Sequence, residues 1–297
     1  MKVCFIYSNR SEFSLISPFI EYFKNKTKTK TINLQKKIEK IELDKNLDKI
    51  YPLCYNEFSK NSYDFVLIIG DRRELPFVAF AALFTETKIV HIASGEDVKG
   101  IPTYDQFIRP SITLLSHNQI CFSKEAENNT KKLFSGLNNF KSNTKIIGNP
   151  VFKNIDINKL KKRIKDNYDL VLLHPQSLSQ DETKKDIQEL KKILKNKKTV
   201  FIIGNKDKNF DIIENFYKKI KKNTNYTFYE NFSKKDYFSL VKYCDMFYTN
   251  SSSISEIEKL NKSAYINIGK RNLNRTKMKL DVNAPEKLFQ YLKFSVR

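Results

Sequence analysis

Short apolar runs alternate with longer polar or amphipathic segments along most of the chain. In the first half, the runs are VCFIYS at 3–8, DFVLIIG at 64–70, TKIVHIA at 87–93 and QICFS at 119–123. They are rich in β-branched and aromatic residues, which is typical of strands buried on both faces of a parallel sheet. The pattern therefore predicts an α/β unit in which helices connect parallel strands.

The same alternation begins again after residue 168. Amphipathic segments such as DETKKDIQELKKILKN separate its apolar runs, which are YDLVLLH, KTVFIIG, NYTFYEN, CDMFYTN and SAYINIG. A chain of 297 residues is also longer than one hydrophobic core usually serves. We predict an N-terminal Rossmann-like lobe over residues 1–155 and a C-terminal Rossmann-like lobe over 156–297. The turn and polar helical stretch at 148–167 place the linker between the lobes near 150–166, and the apolar spacing of the last segment predicts a terminal helix.

The chain is strongly basic, with a net charge of +21. Of its 54 basic residues only 8 are arginine, and many lysines lie in the runs KNKTKTK (24–30), KLKKRIK (159–165) and KKILKNKK (191–198). Such runs usually form solvated helix faces and loop edges. Specific phosphate or base recognition relies more on the planar guanidinium of arginine. We therefore favour a solvated surface over a nucleic-acid partner.

Other compositional features narrow the class of protein further. No window of 18 uncharged apolar residues occurs, and the N-terminal run in MKVCFIYSNR is too short for a signal peptide. The four cysteines form no C-x-x-C pair, which favours neither a disulfide framework nor a zinc site. We expect a cytoplasmic protein in a reducing compartment, with no membrane partner.

Unusual residues concentrate where predicted strands end. In open parallel sheets, ligands bind beyond the carboxyl ends of the strands. The segments that follow these ends are SNRSEF, GDRRE, HIASGED, LHPQSLS, TNSSSIS and IGKRNLNR. Five of the eight arginines lie in or beside them, namely Arg10, Arg72, Arg109, Arg271 and Arg275. The ends of the strands are therefore the predicted binding region.

Three serines, Ser251 to Ser253, stand between a predicted strand and a predicted helix. Their hydroxyls and the amides of the turn favour anion binding over plain helix capping. Arg271 and Arg275, four residues apart, either clamp a diphosphate or belong to a surface loop.

The titratable residues at the strand ends leave alternatives open. Asp71 is either a general base or the cap of a helix that starts near Arg73. His174 either contacts a ligand or is held by backbone groups, whereas His91 lies within a strand and is interpreted as structural. His117 ends a helical stretch, where a cation needs no functional explanation.

Several of these segments together resemble a known family. In order, GDRRELPFVAFAALF, KIVHIASGED, TYDQFIRPSITLLSH, NSSS and NIGKRNLNR resemble the UDP-N-acetylglucosamine 2-epimerase family, particularly its hydrolysing, sialic-acid-pathway branch. SNRSEF is similar to that branch's G-[ST]-R-A-[ED]-Y, and LLHPQSLS is similar to its L-H-P-x-T-L. The resemblance extends from residue 3 to about residue 275.

The resemblance implies a glycosyltransferase-B-like α/β fold, with two Rossmann-like lobes and a UDP-sugar in a central cleft. It implies no cofactor and no metal, and it suggests a homodimer. The implied reaction removes the C2 proton of UDP-N-acetylglucosamine, eliminates UDP in the anti sense and adds water to give N-acetylmannosamine. Such chemistry needs carboxylates near C2 and cations on the departing diphosphate.

The resemblance also assigns roles to individual residues. The predicted catalytic residues are Asp71, Glu96, Asp105 and His174, and Glu12 is a further candidate for the proton transfer. The predicted substrate-binding residues are Arg10, Glu12, Arg72, Arg109, Asn250, Ser251, Ser252, Ser253, Arg271 and Arg275.

Some positions depart from the family pattern. Ala93 stands where H-I-[EH]-G-G-E has a Glu or His, and an alanine transfers no proton. Pro110 replaces the histidine of I-R-H, and Ile257 stands where the family has the Glu that commonly holds ribose hydroxyls. Two further hypotheses therefore stand beside the epimerase: a divergent nucleotide-sugar-binding protein with weak or no epimerase activity, and a glycosyltransferase on the same fold.

Overall fold

The computed structural model describes residues 1–38, 46–100, 103–138, 140–204, 207–230, 232–261 and 265–295, without the side chain of Arg10. The chain divides into two compact units. The first comprises Met1–Asp97, Tyr104–Asn154 and Thr276–Arg297, and the second comprises Val98–Thr103 and Ile155–Arg275. Within the described residues, no helix combines the length and apolar composition that a bilayer crossing requires.

The first unit contains a parallel sheet with the strand order β2-β1-β3-β4-β5-β6. Its strands are β1 (Lys2–Tyr7), β2 (Lys28–Asn33), β3 (Phe65–Ile69), β4 (Lys88–Ile92), β5 (Asn118–Cys121) and β6 (Thr144–Ile146). Its helices are α1 (Arg10–Lys24), α2 (Leu34–Lys37), α3 (Ile50–Lys60), α4 (Leu75–Phe84), α5 (Asp105–Leu115), α6 (Lys124–Phe134) and α11 (Ala284–Ser295).

Both faces of this sheet are covered, because successive side chains of a strand point to opposite faces. Phe5 of β1 belongs to the core beneath α1 and α11, where its ring meets Phe23 edge to face at 5.3 Å. Cys4 and Ile6 of the same strand belong to the core on the other side, beneath α3, α4 and α5. This double burial explains why the central strands read as continuous apolar runs.

The terminal helix requires a correction to the predicted domains. We predicted that residues 156–297 form one lobe, but the structure places α11 in the first unit. Leu288 and Leu292 are fully buried in the core beneath α1, and Phe289 packs on Phe23 with a ring-centroid distance of 5.2 Å. The apolar spacing predicted a helix, but it carried no information about which sheet the helix would cover.

Two lysine-rich runs also differ from their prediction. The run at 24–30 was predicted to be a solvated helix face or loop edge, but it leads into β2, an edge strand with exposed Lys28 and Lys30. Charged side chains on an edge strand discourage pairing with another chain. The polar helical stretch predicted within 148–167 contains a 3₁₀ turn at Ile157–Lys159 and no α-helix.

The second unit contains a parallel sheet with the order β11-β10-β7-β8-β9. Its strands are β7 (Asp169–Leu173), β8 (Thr199–Ile203), β9 (Tyr226–Tyr229), β10 (Phe247–Thr249) and β11 (Tyr265–Asn267). Its helices are α7 (Gln180–Ile193), α8 (Phe210–Ile220), α9 (Lys234–Tyr243) and α10 (Ile254–Leu260). Helices α7 and α8 cover one face, and α9 and α10 cover the other.

Candidate active site

In each sheet the strand order reverses beside the first strand of the unit. Strand β1 lies between β2 and β3, and β7 lies between β8 and β10. At such a reversal, the connections from two adjacent strands leave towards opposite faces, which opens a crevice at their carboxyl ends. The loops concerned follow β1 and β3 in the first unit and β7 and β10 in the second. These loops carry most of the candidate residues that the sequence predicted.

Asp71, directly after the loop glycine that follows β3, forms an ion pair with Arg109 of α5. Arg109 also donates a hydrogen bond through Nη1 to the carbonyl oxygen of Glu96 at 2.7 Å. Burial opposes the charged form of Arg109, but the carboxylates of Asp71, Glu96 and Asp105 raise its pKa above the usual value. The structure therefore places three predicted carboxylates around the guanidinium group of Arg109, which was itself predicted.

Asp71 does not cap a helix, which was the alternative role. Helix α4 begins at Leu75, its N-cap position is Glu74, and no side chain makes a capping hydrogen bond there. The ion pair with Arg109 instead fixes the carboxylate beside the loop.

His91 is structural, as its position within a strand predicted. Its Nε2 lies 2.8 Å from the carbonyl oxygen of Gly70, and its Nδ1 lies 3.0 Å from Oγ1 of Thr113. Nε2 donates in the first of these contacts, because a carbonyl oxygen only accepts. Complete burial lowers the pKa of His91 to about 4, so the ring is neutral at neutral pH. The ring of His117 is also held by the backbone, because its Nδ1 accepts a hydrogen bond from the N–H of Ile89 at 3.1 Å.

The segment after His91 is mostly buried and has two residues with positive φ. Ala93 is 5% exposed and has a φ of +66°, and Gly95 has a φ of +75°. A Cβ atom on Gly95 would lie 1.9 Å from the carbonyl oxygen of Ala126, so only glycine fits there. The Ser94 hydroxyl is buried and lies 3.1 Å from Oγ1 of Thr113. The left-handed backbone thus places a methyl group at the position where the family pattern has a proton-transferring side chain.

Glu12 belongs to the start of α1 rather than to an open surface. Its Oε2 accepts from the backbone N–H groups of Ser8 at 2.6 Å and Asn9 at 3.3 Å, and Asn9 Oδ1 accepts from the Glu12 N–H in return. This is a capping box.

Arg72 also contacts a neighbouring side chain, since its Nε donates a hydrogen bond to Oε1 of Glu74 at 2.7 Å. The predicted substrate-binding roles of Glu12 and Arg72 remain predictions.

In the second unit, Asn250 clamps the loop that carries His174. Its Oδ1 accepts from the backbone N–H of His174 at 2.7 Å, and its Nδ2 donates to the carbonyl oxygen of His174 at 2.8 Å. Asn250 therefore fixes the backbone of His174 and leaves its ring outside this clamp, and the predicted ligand contact of the ring stays a prediction. Burial, Arg271 and Arg275 together lower the pKa of His174 to about 3, so the ring is neutral.

Arg271 and Arg275 are the cations that act on His174. Arg271 Nη1 donates to the carbonyl oxygen of Pro175 at 3.3 Å, and Arg275 Nη1 donates to Oδ1 of Asn272 at 3.4 Å. Arg271 therefore lies at the end of β7, whereas the hydrogen bond of Arg275 to Asn272 stays within its own loop. Two guanidinium groups around a neutral imidazole favour an anionic ligand.

The serines of the NSSS segment are not used for plain helix capping. Ser253 occupies the N-cap position of α10, but its side chain makes no capping hydrogen bond. Its hydroxyl instead lies 3.1 Å from the hydroxyl of Ser251. The backbone of Ser251 is fixed by Thr249 Oγ1 at 2.9 Å and by Asn272 Nδ2 at 2.8 Å, and Ser252 is exposed.

Sequence reasoning missed Asp186, which supports the Asn250 clamp. Asp186 is buried on α7, and its Oδ2 accepts from Nδ2 of Asn250 at 3.0 Å and from Nε2 of Gln176 at 2.9 Å. Burial raises its pKa to about 6. Gly269 has a φ of +64°, and a Cβ atom at this position would lie 1.9 Å from Oδ1 of Asp186. The available signal was an acidic residue on the apolar face of α7, beside Ile187 and Leu190.

Two α/β units, each with a parallel sheet and a polar cluster at its strand-order reversal, define a two-lobed α/β protein of the glycosyltransferase-B type. The crystal structure of Methanocaldococcus jannaschii UDP-GlcNAc 2-epimerase in complex with UDP-GlcNAc and UDP matches with a TM-score of 0.75 at 16% identity, covering 99% of this chain and 100% of that chain. The family model described as UDP-N-acetylglucosamine 2-epimerase matches residues 19–287. The chain belongs to this family.

Two curated relatives share the family. Polysialic acid biosynthesis protein P7 of Escherichia coli is 30% identical over 251 residues, which are 78% of this chain and 62% of that protein. The hydrolyzing GDP/UDP-N,N'-diacetylbacillosamine 2-epimerase of Campylobacter jejuni is 28% identical over 258 residues, which are 80% of this chain and 64% of that protein. The chain thus matches less than two thirds of the length of either relative.

Proposed function

We propose that the protein is a hydrolysing 2-epimerase that acts on UDP-N-acetylglucosamine or a closely related UDP-sugar. The observation that carries this proposal lies in the second unit, where burial and then Arg271 and Arg275 lower the pKa of His174 to about 3, and where Asn250 of the NSSS segment holds the His174 backbone. The name of the Escherichia coli relative supports a role in sialic acid biosynthesis, and the name of the Campylobacter jejuni relative supports hydrolysing 2-epimerase chemistry on a nucleotide amino sugar. The four buried, free cysteines agree with a reducing compartment such as the cytoplasm.

In this proposal, the second unit binds the diphosphate. Arg271, Arg275 and the serine hydroxyls donate hydrogen bonds to phosphate oxygens, and the guanidinium groups stabilise the charge that UDP gains as it departs. His174 acts as a neutral hydrogen-bond donor or acceptor, because its low pKa excludes a charged ring at neutral pH. The predicted phosphate-binding role of Arg10 stays a prediction, because its side chain lies outside the described part of the chain.

The first unit would perform the proton transfer. Asp71 takes the proton from C2 of the sugar, the C2–H electron pair forms a C1=C2 double bond, and the C1–O bond breaks with its electrons leaving on UDP. Water then adds a hydroxyl to C1, and a proton returns to C2 on the opposite face, which gives free N-acetylmannosamine. Arg109 holds Asp71 in place, and Glu96 or Asp105 is the candidate for the second proton transfer.

Asp71→Asn should abolish turnover while leaving nucleotide binding intact, because the amide keeps the shape of the carboxylate but accepts no proton. We expect kcat to fall by roughly 10²- to 10⁴-fold, the usual contribution of a general base. NMR detection of UDP and N-acetylmannosamine measures turnover, and calorimetry measures UDP affinity.

Asp181→Asn is the matched control, because this aspartate is exposed on α7 and pairs only with Lys184 among the described residues. It should retain wild-type turnover. Wild-type protein that binds UDP without turning over UDP-N-acetylglucosamine would contradict the proposed activity.

Ala93 favours a second candidate function, a nucleotide-sugar-binding protein with little or no epimerase activity. Its buried methyl group occupies the place of the proton-transferring residue, and the φ of +66° is unfavourable for any side chain larger than glycine. In this alternative, the anion site of the second unit persists and the proton transfer of the first unit is incomplete.

Ala93→Glu distinguishes the two candidates. If the missing acid limits the reaction, the new carboxyl group should raise kcat at least about 10-fold, whereas the isosteric Ala93→Gln should not. Steady-state assays of both variants beside the wild type measure this difference. Equal rates in all three proteins, with wild-type turnover already high, would show that Ala93 has been compensated and would favour the epimerase.

We further propose a homodimer formed through α4. This helix carries no charged residue, and its outer face exposes Phe80, Leu83 and Phe84 to 42%, 38% and 65%. Phe107 of α5, the neighbouring helix, is 63% exposed. A helix that is apolar on all sides is normally buried, so a second copy of this face is the natural cover.

Phe84→Lys should therefore convert a dimer into a monomer. Light scattering after gel filtration should give about twice 35.0 kDa for the wild type and about 35.0 kDa for the variant. Phe294→Lys is the control, since this phenylalanine is 69% exposed on α11, away from α4 in sequence. A monomeric wild type, or an equal loss of the dimer in both variants, would contradict this assembly.

A further inference from the structure

Two buried glutamates and one half-buried arginine lie where the strand order of the first sheet reverses. Glu12 comes from the helix after β1, and Arg72 and Glu74 come from the segment after β3. Glu12 is 6% exposed and Glu74 is 0% exposed. Oε2 of Glu12 accepts from the backbone N–H groups of Ser8 and Asn9, and Oε1 of Glu74 accepts from Arg72 Nε at 2.7 Å.

The second carboxylate oxygen of each glutamate makes no hydrogen bond to the described residues. Oε1 of Glu12 and Oε2 of Glu74 are buried and have no hydrogen-bond partner within the part of the chain that the structure describes. Buried polar atoms are almost always paired, so two such atoms in one cluster need an explanation. Two ionised carboxylates only accept hydrogen bonds, so they cannot satisfy each other. A proton on one of the two carboxyl groups would turn it from an acceptor into a donor and so remove this conflict.

The charges around Glu12 also favour its protonated form. Burial, followed by the carboxylate of Glu74, raises the pKa of Glu12. The backbone N–H groups of Ser8 and Asn9 and the Arg72 side chain lower it, and the net result is a pKa of about 8. Among the described side chains, Glu74 and Arg72 are the charged groups that act on Glu12, and both lie on the segment between β3 and α4. With one proton on Glu12, the charges of Glu74 and Arg72 cancel, and these three side chains together are neutral.

We infer that Glu12 and Glu74 share one proton at neutral pH, and that this proton ties the loop that carries Arg10 to the loop that carries Asp71. Gly70 connects the cluster to Asp71. A Cβ atom on Gly70 would lie 3.9 Å from Oε1 of Glu12, and the Gly70 carbonyl oxygen accepts from His91. Glu12 is therefore a positioning residue whose protonation state sets the geometry of the two loops.

The sign of the pH dependence follows from proton uptake on folding. In the unfolded chain, Glu12 ionises near 4.5, whereas the folded protein retains the proton to about 8. The folded state binds more protons between these values, so the free energy of unfolding decreases as pH rises through this window. The stabilisation by the proton is complete below pH 4.5 and lost above pH 8.

Glu12→Gln is the direct test, because glutamine imitates a protonated glutamate. Its amide oxygen can accept from Ser8 and Asn9, and its NH₂ group can donate to Oε2 of Glu74. Scanning calorimetry from pH 5 to pH 9.5 should show that the Tm of the wild type falls more steeply than that of the variant. The variant should match the wild type at pH 5 and exceed it at pH 9.5.

Glu21→Gln is the matched control on the same helix. Glu21 is exposed and accepts from Asn154 Nδ2 at 2.8 Å, which a glutamine oxygen can also do. Its Tm should follow the wild-type pH dependence. If Glu12→Gln also follows the wild-type curve, the shared proton is excluded.

Infrared spectroscopy observes the proton itself. At pH 7 the wild type should show the C=O stretch of a buried carboxylic acid that shifts when glutamate is ¹³C-labelled, and the band should disappear at pH 9.5 and in Glu12→Gln. Should Glu12→Gln not fold, Glu74→Gln serves instead, because removing the charge of Glu74 should move the loss of this band to lower pH. A wild type without the band at pH 7 would overturn the inference.

One consequence rests on the proposed function. If the protein is an epimerase, kcat/KM should decline above about pH 8 in the wild type, and this decline should be absent in Glu12→Gln. An inactive protein would refute the proposed function, whereas calorimetry and infrared spectroscopy would still decide on the shared proton.

Discussion

The reversal of strand order beside β1 and beside β7 is the constraint on which both polar clusters depend. In each unit, two neighbouring strands end together while their connections leave towards opposite faces. This geometry brings Asp71 near the start of α1 and brings His174 to Asn250, although the latter two are 76 residues apart. The apolar strands themselves supply no chemistry; they place the loops that do.

Burial of charge dominates the energetics of these loops. The carboxylates of Asp71, Glu96 and Asp105 offset the burial of the Arg109 charge and raise its pKa, whereas His91 and His174 are neutral because no carboxylate offsets their burial sufficiently. Asp186 is held by two amide donors and supports the clamp on His174. In each case the partner of the buried group belongs to a different segment, so the polar contacts also fix the loops relative to their own sheet.

The sequence predicted the two α/β units and nearly all strands, because buried parallel strands are apolar on both faces and therefore easy to recognise. It missed β2 and β6, which are edge strands with exposed lysines and weak apolar patterns. It identified the loops of both clusters, since these follow strands directly. It did not predict the pairing of Asp71 with Arg109 or of Asp186 with Asn250, because such contacts depend on the tertiary fold.

The central claim is that the family chemistry at C2 of the sugar survives in a chain that has alanine at position 93. Deuterium incorporation tests it most directly: the protein is incubated with UDP-N-acetylglucosamine in D₂O, and the released sugar is examined by NMR. Proton removal followed by water addition predicts N-acetylmannosamine with deuterium at C2. Release of N-acetylglucosamine that retains its C2 proton, which simple hydrolysis would give, would contradict the account.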